Sequence, residues 1–311
     1  MYFLTDRQKI VTDIKSRFPN AEIYTDEPMS RHTTFRIGGK ADFFLSPSCV
    51  DELIFIVDYL KKNNIPITVT GNGSNILVSD EGIDGAVICI GKNFSGVKCE
   101  GEYVSALSGT LLSKIAAYAL ENSLSGFEFA SGIPGTLGGA LVMNAGAYGG
   151  EMKDIVTETK YLSTDDLKIH TFTGDEHGFA YRKSNFTDKN IIIESVLKLK
   201  KGNRDDIKAE MMSLSAKRRE KQPLEYPSAG STFKRPEGYF AAKLIDDSGL
   251  RGYSCGDACV SEKHCGFVVN KGSASFEDVM CVIEHTKKTV KEKFGVTLEP
   301  EVKIIGRKRN G

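Results

Sequence analysis

The stretch GFEFASGIPGTLGGALVMNAGAYGGE, residues 126–151, decides how the rest of the chain is read. Eight of its residues are glycine, and Glu128 and Glu151 are its only formal charges. Glycine reaches positive φ without strain and lets main-chain N–H groups approach a bulky ligand, at an entropic cost an ordinary loop has no reason to carry. Pro134 and the small residues Ala130, Ser131, Thr136, Ala140, Ala145 and Ala147 predict an ordered loop entering compact structure. A short glycine motif is weakly specific, so a glycine-rich linker or a tight turn packed on a sheet stands beside the ligand reading until the flanks are considered.

Immediately upstream, residues 110–122 predict a helix capped by Thr110, with Leu111, Leu112, Ile115, Ala116, Ala119 and Leu120 on one face. Further back, the β-branched run Ile67 to Thr70 enters GNGSN (71–75), followed by strand-like Ile76 to Val78 and Ala86 to Ile90. Strand, glycine turn and strand cannot be a dinucleotide fingerprint, which needs a helix after the turn and a third glycine where this chain has Ile76. Two readings remain. GNGSN is a hairpin turn, or a nest of N–H groups that holds a diphosphate, with Ser74 and Asn75 as side-chain donors. Residues 32–48 predict a strand, a kink at Gly38 and Gly39, and a second strand; Ser48 with Asp51 predicts a capping box before a helix that ends near Asn63. Residues 4–18 predict an amphipathic helix.

Downstream, strands are expected at 155–162, 168–172 and 191–199, with the polar loop YRKSNF (181–186) before the last. Its arginine is a catalytic candidate or a surface cation. A helix over 205–221 ends in Lys217, Arg218, Arg219 and Lys221, which either complement the helix dipole or hold an anion. Near residues 204–222 the composition shifts, marking a domain boundary. Beyond it come a helix near 241–248, a strand at 266–270, a helix over 276–294 and a strand at 302–305, a small α+β unit.

The totals exclude several classes. Of 311 residues, 40% are hydrophobic and 26% charged, and 41 basic residues balance 41 acidic ones, so no global field recruits nucleic acid or an anionic membrane. No apolar run approaches the roughly 18 residues of a spanning helix, and the N-terminus carries charges where a signal peptide needs an apolar core, which predicts a cytoplasmic protein. The seven scattered cysteines (Cys49, Cys89, Cys99, Cys255, Cys259, Cys265, Cys281) predict reduced thiols. Cys255, Cys259, Cys265 and His264 lack a paired CxxC, so no metal site is expected.

Eight blocks match a known family in order: TTFRIGG (33–39), GNGSN (71–75), SGIPGTLGGALVMNAGAYGGE (131–151), YRKSNF (181–186), KRREKQP (217–223), PSAGSTFKRP (227–236), HCGFVVN (264–270) and LEPEVKIIG (298–306). The chain resembles the UDP-N-acetylenolpyruvoylglucosamine reductases of peptidoglycan synthesis over residues 30–306. The resemblance implies an α+β chain: a two-subdomain FAD-binding fold of the vanillyl-alcohol-oxidase type (1–95 and 96–204), followed by a substrate-binding domain (205–311) whose tail 299–311 can pack on the first subdomain. It implies non-covalent FAD, NADPH as reductant, UDP-N-acetylglucosamine enolpyruvate as substrate, and the shorter of two known enzyme forms. Arg182 then matches the catalytic arginine, Ser231 the proton donor and Glu301 the catalytic acid. Gly71, Asn72, Gly73, Ser74 and Asn75, with Ser131, Gly132, Ile133, Pro134, Gly135, Thr136, Gly138, Gly139, Asn144, Ala145 and Gly146, are implied to hold the flavin; Arg218, Lys221 and His264 face the sugar nucleotide. Two other readings stay open: a flavin oxidase of the same fold using oxygen, and a non-catalytic flavin- or nucleotide-binding module.

Overall fold

The structure is a computed structural model describing residues 4–307; the ends of the expected N-terminal stretch and of the tail 299–311, at residues 1–3 and 308–311, lie outside the described residues. The chain forms two compact units that interleave in sequence. The first comprises the chain up to Glu27 with Asp42–Asn72 and Gly85–Ser215; the second comprises Pro28–Ala41, Gly73–Asp84 and the chain from Ala216 onward.

The first unit has two cores. Helix α1 (Leu4–Arg17) and helix α2 (Val50–Lys62) bury Ile10, Ile14, Leu53, Ile56, Val57 and Leu60 with Phe43, Leu45 and Ile88 of a sheet ordered Glu22–Pro28, Lys40–Ser46, Ile83–Cys89, Ile67–Thr70. Each such side chain contributes about 1.5–3 kcal/mol by leaving water. Helix α2 does not start from the expected Ser48–Asp51 box. Its N-cap is Cys49, and Glu52 at the third helical position accepts from both the N–H and the hydroxyl of Ser48, each at 2.7 Å.

The second core lies on a five-stranded antiparallel sheet ordered Ile169–Thr173, Val156–Ser163, Asn190–Lys198, Tyr103–Leu107, Val97–Glu100. Helix α3 (Leu112–Glu121) adds Leu112, Ile115, Ala116 and Ala119, and the short helix α4 (Leu137–Val142) adds Leu137 and Leu141. Thr110 is not the cap of α3. Its hydroxyl joins the N–H and the carbonyl of Gly96, both at 3.0 Å, and Leu111 takes the cap position.

Helix α5 (Arg204–Lys221) carries the chain out of the first unit. In the second, helix α6 (Ala241–Asp247) and helix α7 (Phe276–Phe294) pack with a small antiparallel sheet of Ser254–Cys255, Ala258–Val260 and Val268–Asn270. Ser275 and Asp278 cap α7 reciprocally, Gly295 ends it at φ 71, and Val279, Val282, Ile283 and Val290 form its buried face.

Three further expectations are corrected. Residues 33–37 are a loop and not a strand, because Thr33 Oγ1 turns back on Ile37 O at 3.0 Å and Arg36 stands at φ 58. The hairpin reading of GNGSN falls: Ile67–Thr70 pairs in parallel with Ile83–Cys89, and Ile76–Val78 pairs in parallel with Lys303–Ile305. The seven thiols are not all reduced. Cys255 and Cys281 form a disulfide with Cα atoms 6.3 Å apart, leaving Cys49, Cys89, Cys99, Cys259 and Cys265 free. The pairing is hidden in sequence because the partners are 26 residues apart and meet only when α7 packs on the small sheet. Among the described residues, no helix is long and apolar enough to cross a membrane and no group of three or more His, Cys, Asp or Glu is placed to hold a metal.

Candidate active site

In the first unit, the glycine segment passes through α4 into a tight hairpin that pairs Gly146–Ala147 with Gly150–Glu151. Two of its glycines are required by packing. A Cβ on Gly150 would lie 2.7 Å from the Phe129 ring, and one on Gly146 would lie 2.6 Å from Glu151 Cγ. Gly139 is different, being exposed, with Thr136 Oγ1 at 3.7 Å as the nearest atom to an added Cβ. It leaves a surface bare of side chains. Gly71 is held against the same buried Thr136, whose hydroxyl a Cβ there would strike.

The N–H groups of this segment divide into two sets. Leu137 and Gly138, at the start of α4, donate to Thr110 O (2.9 Å) and Ser108 O (2.8 Å), while Ser131 and Ile133 close the preceding turn on Glu128 O and Ala130 O. No described residue accepts from the N–H of Gly132 or Gly135. Donors for a ligand therefore come from the loop 131–136 and from the N–H of Gly139 in the first turn of α4, which likewise has no acceptor among the described residues.

Arg182 stands on a two-residue turn. Ala180 and Lys183 exchange N–H···O bonds of 3.0 and 3.2 Å, leaving Tyr181 and Arg182 at the tip. The Arg182 backbone is at φ 54, a conformation that strains a long side chain by about 1–3 kcal/mol and persists only where the surroundings enforce it. Its Nη2 donates to Gly146 O at 3.3 Å, and its guanidinium carbon lies 5.1 Å from the centre of the Tyr181 ring. Beside it, Glu151 is bonded by Lys153 Nζ (2.8 Å) and Asn144 Nδ2 (2.9 Å). Lys153 above all, then Asn144 and the charge of Arg182, hold the Glu151 carboxyl below its ordinary range, against an opposing push from burial.

In the second unit, Gly73 is buried at φ 63, and an added Cβ would collide with His32 O. No described residue accepts from the N–H of Gly73 or Ser74. A buried donor without a protein acceptor is costly unless a ligand supplies one, and this fits an anionic group such as a diphosphate. Asn75 behaves otherwise than expected of a phosphate donor: its Nδ2 donates to Glu301 O at 3.1 Å, and its carbonyl accepts from Lys303 N at 3.0 Å.

Ser231 is exposed between Gly230, at φ 77, and Thr232, which is 3% exposed. Thr232 anchors the turn three ways. Its N–H donates to Gly266 O (2.8 Å), its hydroxyl accepts from Val268 N (2.9 Å), and its carbonyl accepts from Glu301 N (2.8 Å). Phe233 pairs with Pro300 and Lys234 N donates to Glu299 O, so a short ladder sets the Ser231 turn beside Glu301. His264 belongs to the same neighbourhood through Gly266, whose N–H it accepts at Nδ1 (3.1 Å). Burial, with the charge of Arg251 adding, pushes the His264 pKa down, so the ring is neutral with its hydrogen on Nε2. Lys263 Nζ donates to Arg219 O at 2.7 Å, which ties this turn to the end of α5, where Arg218 is half-buried and Lys221 exposed.

Sequence reasoning overlooked Thr232 and Glu151. Thr232 carried only a weak signal, a hydroxyl among apolar neighbours. Glu151 was more legible, being the acid that ends a neutral stretch with Lys153 two residues on.

A family model described as an FAD binding domain matches residues 41–172, which include the strand Ile67–Thr70, Gly71 and the whole glycine segment. The donors without acceptors, the bare glycine surface and this match define a flavoprotein oxidoreductase. A second model, the C-terminal domain of UDP-N-acetylenolpyruvoylglucosamine reductase, matches residues 222–305. The UDP-N-acetylenolpyruvoylglucosamine reductase of Caldanaerobacter subterraneus is 51% identical over 300 residues, covering 96% of this chain and 99% of the relative. That of Agathobacter rectalis is 51% identical over 312 residues, with coverages of 96% and 99%. The crystal structure of the Thermus caldophilus enzyme superposes with a TM-score of 0.78 at 34% identity, covering 92% of this chain and 98% of that one. This chain belongs to the UDP-N-acetylenolpyruvoylglucosamine reductase family, in its shorter form.

Proposed function

We propose that the chain reduces UDP-N-acetylglucosamine enolpyruvate to UDP-N-acetylmuramate in the cytoplasm, for peptidoglycan precursor synthesis, with NADPH as reductant. Residues 1–95 and 96–204 hold FAD and 205–311 receive the sugar nucleotide. The observation that supports this most is the bond from Glu301 N to Thr232 O, which gathers a proton donor and an acid beside GNGSN's Asn75. The loop 131–136, with Gly71, Gly73 and Ser74, would hold FAD, which when bound would supply the hydride chemistry between NADPH and the terminal carbon of the enolpyruvyl ether.

The protein's own residues handle the charge and the proton. As negative charge grows on the enolpyruvyl carboxylate, the Arg182 fork offsets it with a fixed pair of donors. Ser231 Oγ–H delivers a proton to the carbon bearing the ether oxygen. Serine is a weak acid, yet the carbanion-like centre is basic enough to take its proton when the geometry is fixed, and Thr232 supplies that geometry. Glu301 donates to, or orients, the developing enolate. Arg218 and Lys221 bind the substrate diphosphate, and the Nε2–H of His264 is a further donor on that surface. Residues 131–136, Gly139, Gly71 and the N–H groups of Gly73 and Ser74 hold the flavin.

The test is an anaerobic visible spectrum, followed by one equivalent of NADPH and then the enolpyruvyl sugar. Bleaching by NADPH and recovery with the sugar support both half-reactions. Recovery with oxygen alone would favour the oxidase, and a colourless protein that FAD cannot reconstitute would overturn the flavin reading.

A further inference from the structure

Asn144 lies in the segment implied to touch the cofactor, yet its side chain is 0% exposed. Its amide group has two donor hydrogens and both are used: Nδ2 donates to Glu151 Oε2 at 2.9 Å and to Ala180 O at 3.1 Å. Its Oδ1 accepts from Lys153 N at 2.9 Å. No donor hydrogen remains on this amide to offer a ligand.

What the amide does hold is the base of the Arg182 turn. Ala180 is the residue on which that turn closes, and Ser184 Oγ secures its far side on Val142 O at 2.9 Å. Two residues beyond Asn144, Gly146 O accepts from the Arg182 guanidinium. Asn144 itself stands at φ 41, in the left-handed region that asparagine tolerates better than most residues. It is thus a buried junction where the glycine segment, the Glu151 carboxylate and the arginine turn meet.

We propose that Asn144 is a positioning residue for Arg182: its amide joins the floor of the arginine turn to the Glu151 carboxylate and so fixes where the guanidinium stands over the glycine segment. This rests on the role given to Arg182 above. The left-handed turn would otherwise relax toward less strained conformations, and a displaced fork would lose the carboxylate whose charge it offsets. A misplacement of about 1 Å at a reacting group can slow a reaction about 10²-fold.

Two substitutions separate this from simple packing. Asn144→Asp keeps the size and the acceptor for Lys153 N while removing both donors. Asn144→Gly keeps the left-handed backbone and introduces no charge beside Glu151. Each is made in the FAD-loaded enzyme with and without Arg182→Ala; both half-reactions are followed by stopped flow, and FAD affinity is measured by titrating the apoprotein. Reoxidation by UDP-N-acetylglucosamine enolpyruvate should slow about 10²-fold, with NADPH-driven bleaching and FAD affinity within about threefold of the parent. In the Arg182→Ala background the same substitutions should add less than about threefold, since a group acting through Arg182 has nothing left to act on. Equal slowing of both half-reactions, weakened FAD binding, or a full further loss without Arg182 overturns the inference. A slow Arg182→Ala enzyme beside an unaffected Asn144→Gly enzyme overturns the inference alone. An Arg182→Ala enzyme that reoxidises at the parent rate overturns the role of Arg182 first, and the inference with it.

Discussion

Arg182 and Ser231 both stand at the tips of turns, but the turns are secured by different means. Beyond the two Ala180–Lys183 main-chain bonds that close it, the Arg182 turn is anchored by side chains: a buried amide, the hydroxyl of Ser184 and a carboxylate paired with Lys153. The Ser231 turn rests mostly on main chain, through the ladder from Thr232 to Glu301 and the bond from Thr232 N to Gly266 O. A main-chain ladder tolerates changes in the side chains around it, because its donors and acceptors survive them. A side-chain junction does not. Substitutions remote from the reacting atoms should therefore be felt strongly in the arginine half and weakly in the serine half.

The largest effect expected in the serine half comes from the hydroxyl itself. Ser231→Ala should slow reoxidation by the enolpyruvyl sugar about 10²- to 10⁴-fold while sparing flavin reduction by NADPH. Stopped-flow rates for the two half-reactions check this, and an equal loss in both would remove the proton-donor role.

The crosslink marks a second contrast, since Cys255–Cys281 lies in the second unit alone among the described residues. For a loop of this length its loss should lower stability by about 3 kcal/mol. Denaturant midpoints of the oxidised protein, the reduced protein and Cys281→Ser measure it; coincident curves would mean that the bond contributes nothing.

Thr232→Val probes the ladder's buried side-chain component; the other, Lys234 Nζ to Glu299 Oε2, is exposed. The substitution strips the acceptor from Val268 N, which is buried, and should cost about 1–3 kcal/mol of stability. The main-chain bonds remain, so the reoxidation rate at a temperature where the variant is folded should change little. A large rate loss there would show that the hydroxyl matters to Ser231 directly and would erase the contrast with Asn144.

The smallest effect concerns acid stability. His264 is held below its ordinary pKa of 6.5, so below that pH the unfolded chain binds a proton that the folded chain resists. Its contribution is intact above 6.5 and declines as pH falls toward the lowered value. His264→Gln should flatten that limb of a stability-versus-pH curve, and an unchanged slope would contradict the burial of the ring.

Particular residues show how far the sequence reached. Helix α7 was legible to the residue because its capping box, apolar spacing and terminal glycine agree. The start of α2 was misplaced because Glu52, not Asp51, does the capping, a choice fixed by where the helix packs. The strand expected at 33–37 failed because Thr33 folds the chain back on itself, which β-propensity does not encode. Asn144 and Asn75 looked like ligand donors; both Nδ2 hydrogens of Asn144 go to the protein, and Asn75 Nδ2 donates to Glu301 O.

By itself the sequence determined the chemistry the protein can use: neutral glycine loops for a bulky cofactor, and the arginine, serine and glutamate in their ordered blocks. Residue type and local spacing carried the glycine loops; the proposed roles of Arg182, Ser231 and Glu301 came from the resemblance of their ordered blocks to a known family. Only the tertiary structure decided that Ile76–Val78 pairs with Lys303–Ile305, that Thr232 brings Ser231 to Glu301, that Cys255 reaches Cys281, and that Asn144 props Arg182. Each is a bond between segments distant in sequence, made when buried polar groups take the partners that packing brings within reach.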